Sequence, residues 1–159
     1  MQLADIFQGL GEATFRELLG QISFSRLKIY QLYEAVKVRT HLTKLNAETL
    51  RKASPRLWAR IAEGQEDFAA ELSQAILVSK LDVVIEVLDF LGIPHNEGFF
   101  EKDTDLAAHL SDGWQSKVYE EFKQKHSPAL LAFYVNHLAK EASDGAAELF
   151  QPEQPAPAA

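Results

Sequence analysis

Apolar residues recur along the chain at helical spacing. Leu3, Ile6, Phe7 and Leu10 fall at i, i+3, i+4 and i+7, and the same pattern returns after Gly11 at Phe15, Leu18, Leu19 and Ile22. Two short amphipathic helices are expected. Ser25 is placed to cap a third helix over residues 25–38, with Leu27, Tyr30, Tyr33 and Lys37 on one stripe and Ile29, Leu32 and Val36 on another. Asn46 can cap a short helix ending at Ala53, and Ser54 followed by Pro55 reads as the cap and first turn of a separate helix ending at Gly64.

Residues 65–91 contain neither glycine nor proline and predict one helix, or two joined near Ser79 and Lys80. The β-branched run at 83–88 would also suit a buried strand. A helix is the better reading, because no turn residue separates the run from the Ala- and Leu-rich stretch before it, and Gly92 with Pro94 supplies a stop. Beyond an irregular stretch, Asp103 or Asp105 can open a short helix to Leu110. Ser111 or Asp112 then caps a helix carrying Trp114, Val118 and Phe122. Ser127 and Pro128 start the last helix, whose Leu130, Leu131, Tyr134, Val135 and Leu138 face the core. Residues 151–159 hold three prolines and no large apolar side chain, which predicts an extended, mobile tail. The pattern predicts a compact all-α bundle of about seven to nine helices in one domain, residues 1–150, with no internal repeat of solenoid period.

Composition agrees with such a domain. The 159 residues are 47% hydrophobic and 25% charged, and there is no cysteine. Thiol catalysis, iron–sulfur clusters and Cys-ligated zinc are excluded, and a reducing compartment is allowed. The first residues carry no basic region followed by an apolar run, so a secretory signal is not expected and a cytoplasmic location is. The most apolar stretch, residues 72–93, is broken by Ser73, Lys80, Asp82, Glu86 and Asp89 and makes a poor bilayer span.

Charge changes the picture more. The net charge of −7 is the sum of a +7 block at residues 26–60, which holds five of the six arginines, and −14 elsewhere. Within the block, Lys52, Arg56 and Arg60 repeat every four residues if the break at Ser54 preserves helical phase. With Arg51 they are the candidates for an anion-binding face, and Trp58 could stack on a base. The two short helices lack the glycine-bearing turn usual in a helix-turn-helix, and the chain is acidic overall, so a nucleic acid is not the favoured partner. The basic helices can equally pack beside acidic ones.

Asp82, Glu86 and Asp89 lie within about 60° of one another on a helix otherwise nearly all apolar, which predicts a central helix with one narrow polar strip. Three carboxylates on one strip could hold a metal or raise one another's pKa for acid–base work, and they could as easily form the solvent-facing edge or pair with the basic block. His137 and Glu141, at i and i+4 on the last helix, are a further metal candidate, although a hydrogen-bonded structural histidine is the simpler reading of His137. No His-Glu-x-x-His sequence occurs, nor a glutamate three residues before any histidine.

The stretch 93–105 concentrates functional groups. His95, Glu97 and Asp103, with His109 beyond, are the candidates for acid–base chemistry, and Phe99 with Phe100 could wall a small pocket. The stretch matches no catalytic motif and lacks the third oxygen ligand and the glycine of a calcium EF-hand loop. The residues alone support most a non-catalytic helical interaction module, self-association included, without a cofactor. A small-ligand site or enzyme at 93–109 comes second, and an anion or nucleic-acid binder through residues 26–60 third.

Overall fold

The computed structural model describes residues 1–22, 47–143 and 148–152. The helix expected at 25–38, the cap at Asn46 and the last seven tail positions lie outside the described residues. Among those described the fold is all-α. It comprises α1 (Leu3–Leu10), α2 (Glu12–Leu19), α3 (Ala47–Ala62), α4 (Glu66–Ser79), α5 (Leu81–Leu91), a single 3-10 turn (Leu106–His109), α6 (Trp114–Phe122) and α7 (Pro128–Ser143). No helix among these residues is long and apolar enough to cross a membrane.

The apolar spacing of α1 and α2 buries Ile6, Phe7, Phe15 and Leu18 completely or nearly so. Phe7 stands at the centre. Its ring stacks on Phe133 at 5.1 Å and meets Phe15 edge-on at 5.6 Å, and Phe15 in turn packs against Trp58 at 5.3 Å. The first turn of α1 is capped from elsewhere in the chain, by the Glu66 carboxylate at the start of α4, which accepts from the Leu3 and Ala4 amides at 2.8 and 3.1 Å. A carboxylate there also suits the positive end of the helix dipole.

Three expectations need correction. The first concerns Pro55, which lies inside one continuous helix, α3, so Ser54 and Pro55 do not start a new one. Proline has no N–H to give to the Arg51 carbonyl one turn back. The Ser54 hydroxyl donates to that carbonyl instead, at 2.8 Å, and the helix continues. Replacing Ser54 by alanine is therefore expected to destabilise the protein by about 1 kcal/mol. In a Pro55→Ala background the loss should shrink towards zero, because the restored amide takes over the Arg51 carbonyl. A double-mutant cycle read by urea unfolding checks this, and an equal loss in both backgrounds would refute the account.

The second concerns the centre of the bundle. The central helix is α7, in which every residue from Ala129 to Asn136 is buried, whereas α5 buries only Val83, Val84, Val87 and Leu88 and leaves Phe90 exposed. Counting apolar residues on α5 overstated its burial. The third concerns α6, which starts at Gly113 in the left-handed region with no side-chain cap; Ser111 contributes its backbone carbonyl to the Trp114 amide.

Other boundaries agree with the pattern. Residues 65–91 form two helices broken at Lys80, residues 83–88 are helical, and Gly92 closes α5 in the left-handed conformation. Asp105 accepts from the Ala108 amide in the 3-10 turn, and Ser127 accepts from Leu130 at the start of α7.

Candidate functional site

The acidic strip of α5 is divided among separate partners. Glu86 receives both Lys125 and His126 from the segment between α6 and α7, and Asp89 is 2.7 Å from His95 Nε2. Asp82 is exposed. Among the described residues no three histidine or carboxylate side chains stand together where a metal could be held.

The Glu86 carboxyl is held below its ordinary value of 4.5, first by the Lys125 hydrogen bond and then by that of His126. His137 is shifted in the other functional sense. Burial, reinforced by nearby Lys140, pushes its imidazole down to about 4 from 6.5, so the ring is neutral at physiological pH. These shifts set two acid windows. As pH falls from 6.5 towards 4, the unfolded chain takes up a proton at His137 that the folded chain refuses, and stability declines. Below 4.5 the stabilisation from ionised Glu86 is lost as pH passes through its lowered folded value. Urea midpoints across this range should therefore decline in wild type, decline less between 6.5 and 4 in His137→Phe, and decline less below 4.5 in Glu86→Gln. Parallel curves for all three proteins would contradict the assignment.

The stretch after α5 is a tight turn. Asn96 and Phe99 exchange both backbone hydrogen bonds, and Glu97 and Gly98 between them have φ values of 53° and 93°. Gly98 also packs so closely on Leu81, Val84 and Ile85 that a Cβ would press on the Leu81 side chain. His95 buttresses this turn. Its Nδ1 accepts from the Gly98 amide at 3.0 Å, which leaves the proton on Nε2, facing Asp89. Both ring nitrogens are thus engaged in holding the turn, and no lone pair is left for a general base. Glu97 and Asp103 are exposed, and His109 lies on the 3-10 turn. None of the three clefts described below includes His95, Glu97, Asp103 or His109 in its wall.

The basic residues of α3 do share one helix, so Lys52, Arg56 and Arg60 keep their phase. Arg51, Lys52 and Arg56 are exposed. Arg60 is committed to the corner between α3 and α4, where its Nε donates to Gln65 at 2.8 Å and its guanidinium lies 4.3 Å over the Phe68 ring. Trp58, expected as a stacking platform, is packed against Phe15 instead.

One arrangement escaped the sequence reading, and a second was foreseen only in its two phenylalanines. The first is a groove where α1, α6 and α7 meet, and residues 148–152, in neither helix nor strand, occupy it. Asn136, fully buried on α7, accepts from the Phe150 amide at 2.7 Å and donates to the Phe150 carbonyl at 2.8 Å, while also donating to Ala132 one turn back. Leu149 lies over Gly9, where any side chain would overlap it. The Phe150 ring meets Tyr119 at 6.4 Å, and Gln151 donates to the Gly9 carbonyl at 2.6 Å. Clefts of about 660 Å³ open on either side of Gln151 and Pro152. Residues 151–152, expected to begin a mobile tail, are thus anchored. The second arrangement is a cleft of about 320 Å³ between α4, α5, α7 and the 96–99 turn, with Phe99 and Phe100 in its wall beside Tyr134 and His137.

No family model, curated protein or solved structure matches this chain.

Proposed function

We propose that this protein is a non-catalytic helical interaction module that seats an extended peptide in the groove between α1, α6 and α7, a second copy of the chain being the donor. The observation that carries the reading is the bidentate grip of Asn136 on the Phe150 backbone. A side-chain amide that pairs with one residue's N–H and C=O repeats what a neighbouring strand does in peptide recognition: backbone pairing supplies affinity and flanking pockets supply selectivity. The pockets here are the bare surface of Gly9 for an aliphatic side chain and the Tyr119 ring for an aromatic one. The sequence selected is aliphatic, aromatic, Gln, Pro.

Self-association follows from the same contacts. Four residues, 144–147, join α7 to the docked segment, and the segment of a second copy would meet an identical groove. Exchange between copies preserves every hydrogen bond and depends on concentration.

The test uses a labelled peptide of sequence Glu-Leu-Phe-Gln-Pro and a full-length chain in which Leu149 and Phe150 are both replaced by serine to weaken the resident segment. Saturable binding is expected by fluorescence anisotropy, and adding Asn136→Leu should abolish it. A failure to bind, or binding indifferent to Asn136, would sink the proposal. Wild-type chain should also form dimers at high concentration in analytical ultracentrifugation, and the double serine variant should not.

A further inference from the structure

We infer that the cleft between α4, α5, α7 and the 96–99 turn binds a small, uncharged, mostly apolar molecule through a single hydrogen-bonding head, with Tyr134 and His137 as the polar contacts. This site is separate from the peptide groove. Asn136, Ala132 and Ala129 face the groove on one side of α7, whereas Tyr134, His137 and Leu138 line the cleft on another.

Shape and composition argue for a ligand. A volume of about 320 Å³ lies at the small end of the roughly 300–1,000 Å³ typical of ligand sites and fits a molecule of one or two rings. Apart from Tyr134 and His137 the walls are mostly aliphatic and aromatic, with Leu77, Val78, Leu81, Val84, Phe99 and Phe100 among them, and the exposed Gln74 adds one amide. Phe99 is 58% exposed, an unusual placement for a large apolar side chain that stands at the mouth of a cleft. Among the described residues no Asp, Glu, Lys or Arg is in the wall.

The polar groups argue for its chemistry. The His137 ring lies against those of Tyr134 and Phe133, and neither His137 nor Tyr134 makes a hydrogen bond among the described residues. No fully buried side-chain nitrogen or oxygen among the described residues lacks a partner, and Tyr134 and His137 both line the cleft. Together they offer a ligand at least one donor and one acceptor in an apolar setting, where such a bond is stronger than in water. Burial keeps both groups neutral: it lowers the His137 value to about 4 and raises that of Tyr134. A carboxylate or ammonium would enter without a counter-charge. A hydroxyl or amide head would not meet that penalty.

Naphthol, naphthalene and naphthoate, all of one ring size, test the inference on the full-length chain by fluorescence titration. Naphthol is expected to bind saturably and at least about tenfold more tightly than either naphthalene or naphthoate. His137→Phe, which keeps a ring in place, should weaken naphthol about tenfold and leave naphthalene unchanged. Ala70→Trp, at an exposed position on the rim, should reduce binding of both. Failure of naphthol to bind the wild-type chain would overturn the inference, as would equal binding of all three probes or naphthol binding indifferent to His137→Phe. None of these outcomes bears on the peptide groove, whose test reads Asn136.

Discussion

Replacing Phe133 by alanine is expected to lower the free energy of unfolding by about 3–5 kcal/mol, the largest effect of any single substitution considered for this chain. Phe133 is fully buried on the central helix and stacks on Phe7, which in turn braces Phe15. Removing the ring loses its transfer energy and leaves a void that three helices cannot close together, since α1, α2 and α7 are held by other contacts as well. A domain of this size has only about 5–15 kcal/mol to lose. Urea unfolding followed by circular dichroism should therefore show a much earlier midpoint with an unchanged slope. Phe99→Ala, at an exposed ring, should shift stability by no more than about 0.5 kcal/mol. Comparable losses in the two variants would mean that the core is not centred on Phe7 and Phe133.

Replacing Asn136 by leucine is expected to release residues 148–152 and to destabilise the chain by about 2 kcal/mol. The substitution keeps volume but removes three hydrogen bonds, two of them to the Phe150 backbone. The freed Phe150 groups can turn to water once the segment leaves the groove, which limits the loss; the Ala132 carbonyl keeps its place in the α7 ladder. Asn136→Asp should be worse than Asn136→Leu at neutral pH. It retains an acceptor for the Phe150 amide but turns a charged oxygen towards the Ala132 and Phe150 carbonyls in a fully buried position. Amide hydrogen exchange at Phe150 is the direct readout. Protection that survives Asn136→Leu would show that Leu149 and the Phe150 ring, rather than the amide, hold the segment.

The candidate sites were less legible than the helices. The histidine-bearing stretch at 93–105 looked like a site because it gathered titratable residues in a place without helical periodicity. In the fold, His95 spends one nitrogen on the Gly98 amide and the other on Asp89, and the cluster resolves into a braced turn. Phe99 and Phe100 do wall a cleft, but the polar groups they face are Tyr134, which read as a core position, and His137, which read as a hydrogen-bonded structural histidine. Asn136 carried a faint signal: a lone amide among the apolar residues of the last helix needs a partner if buried. Its partner, Phe150, could not be named from spacing.

The α3 segment shows the same division within one helix. Ser54 followed by Pro55 is a standard start signal, and locally the reading was sound. The two residues act differently because Leu57 and Ile61 beyond the proline and Ala53 before it share one buried face, and burying that face as a unit favours a continuous helix over a break. Glu86 is a second case. Pairing with the basic block was one of several readings of its strip; its carboxylate is answered by Lys125 and His126, about forty positions away and outside that block.

What the sequence determined by itself was the all-α class, the extent of most helices, their stops at Gly92 and the start at Ser127, and the apolar faces that bury Phe7, Phe15 and Leu130. These depend on interactions within a few residues, where periodicity, capping and glycine conformation act directly. Only the tertiary structure decided that α7 is central, that Asn136 grips the chain's own Phe150, and that Tyr134 and His137 open onto a cleft beside Phe99. Each of those depends on how helices distant in sequence pack, and side chains from distant helices meet according to the shapes of whole buried faces, which no local spacing encodes.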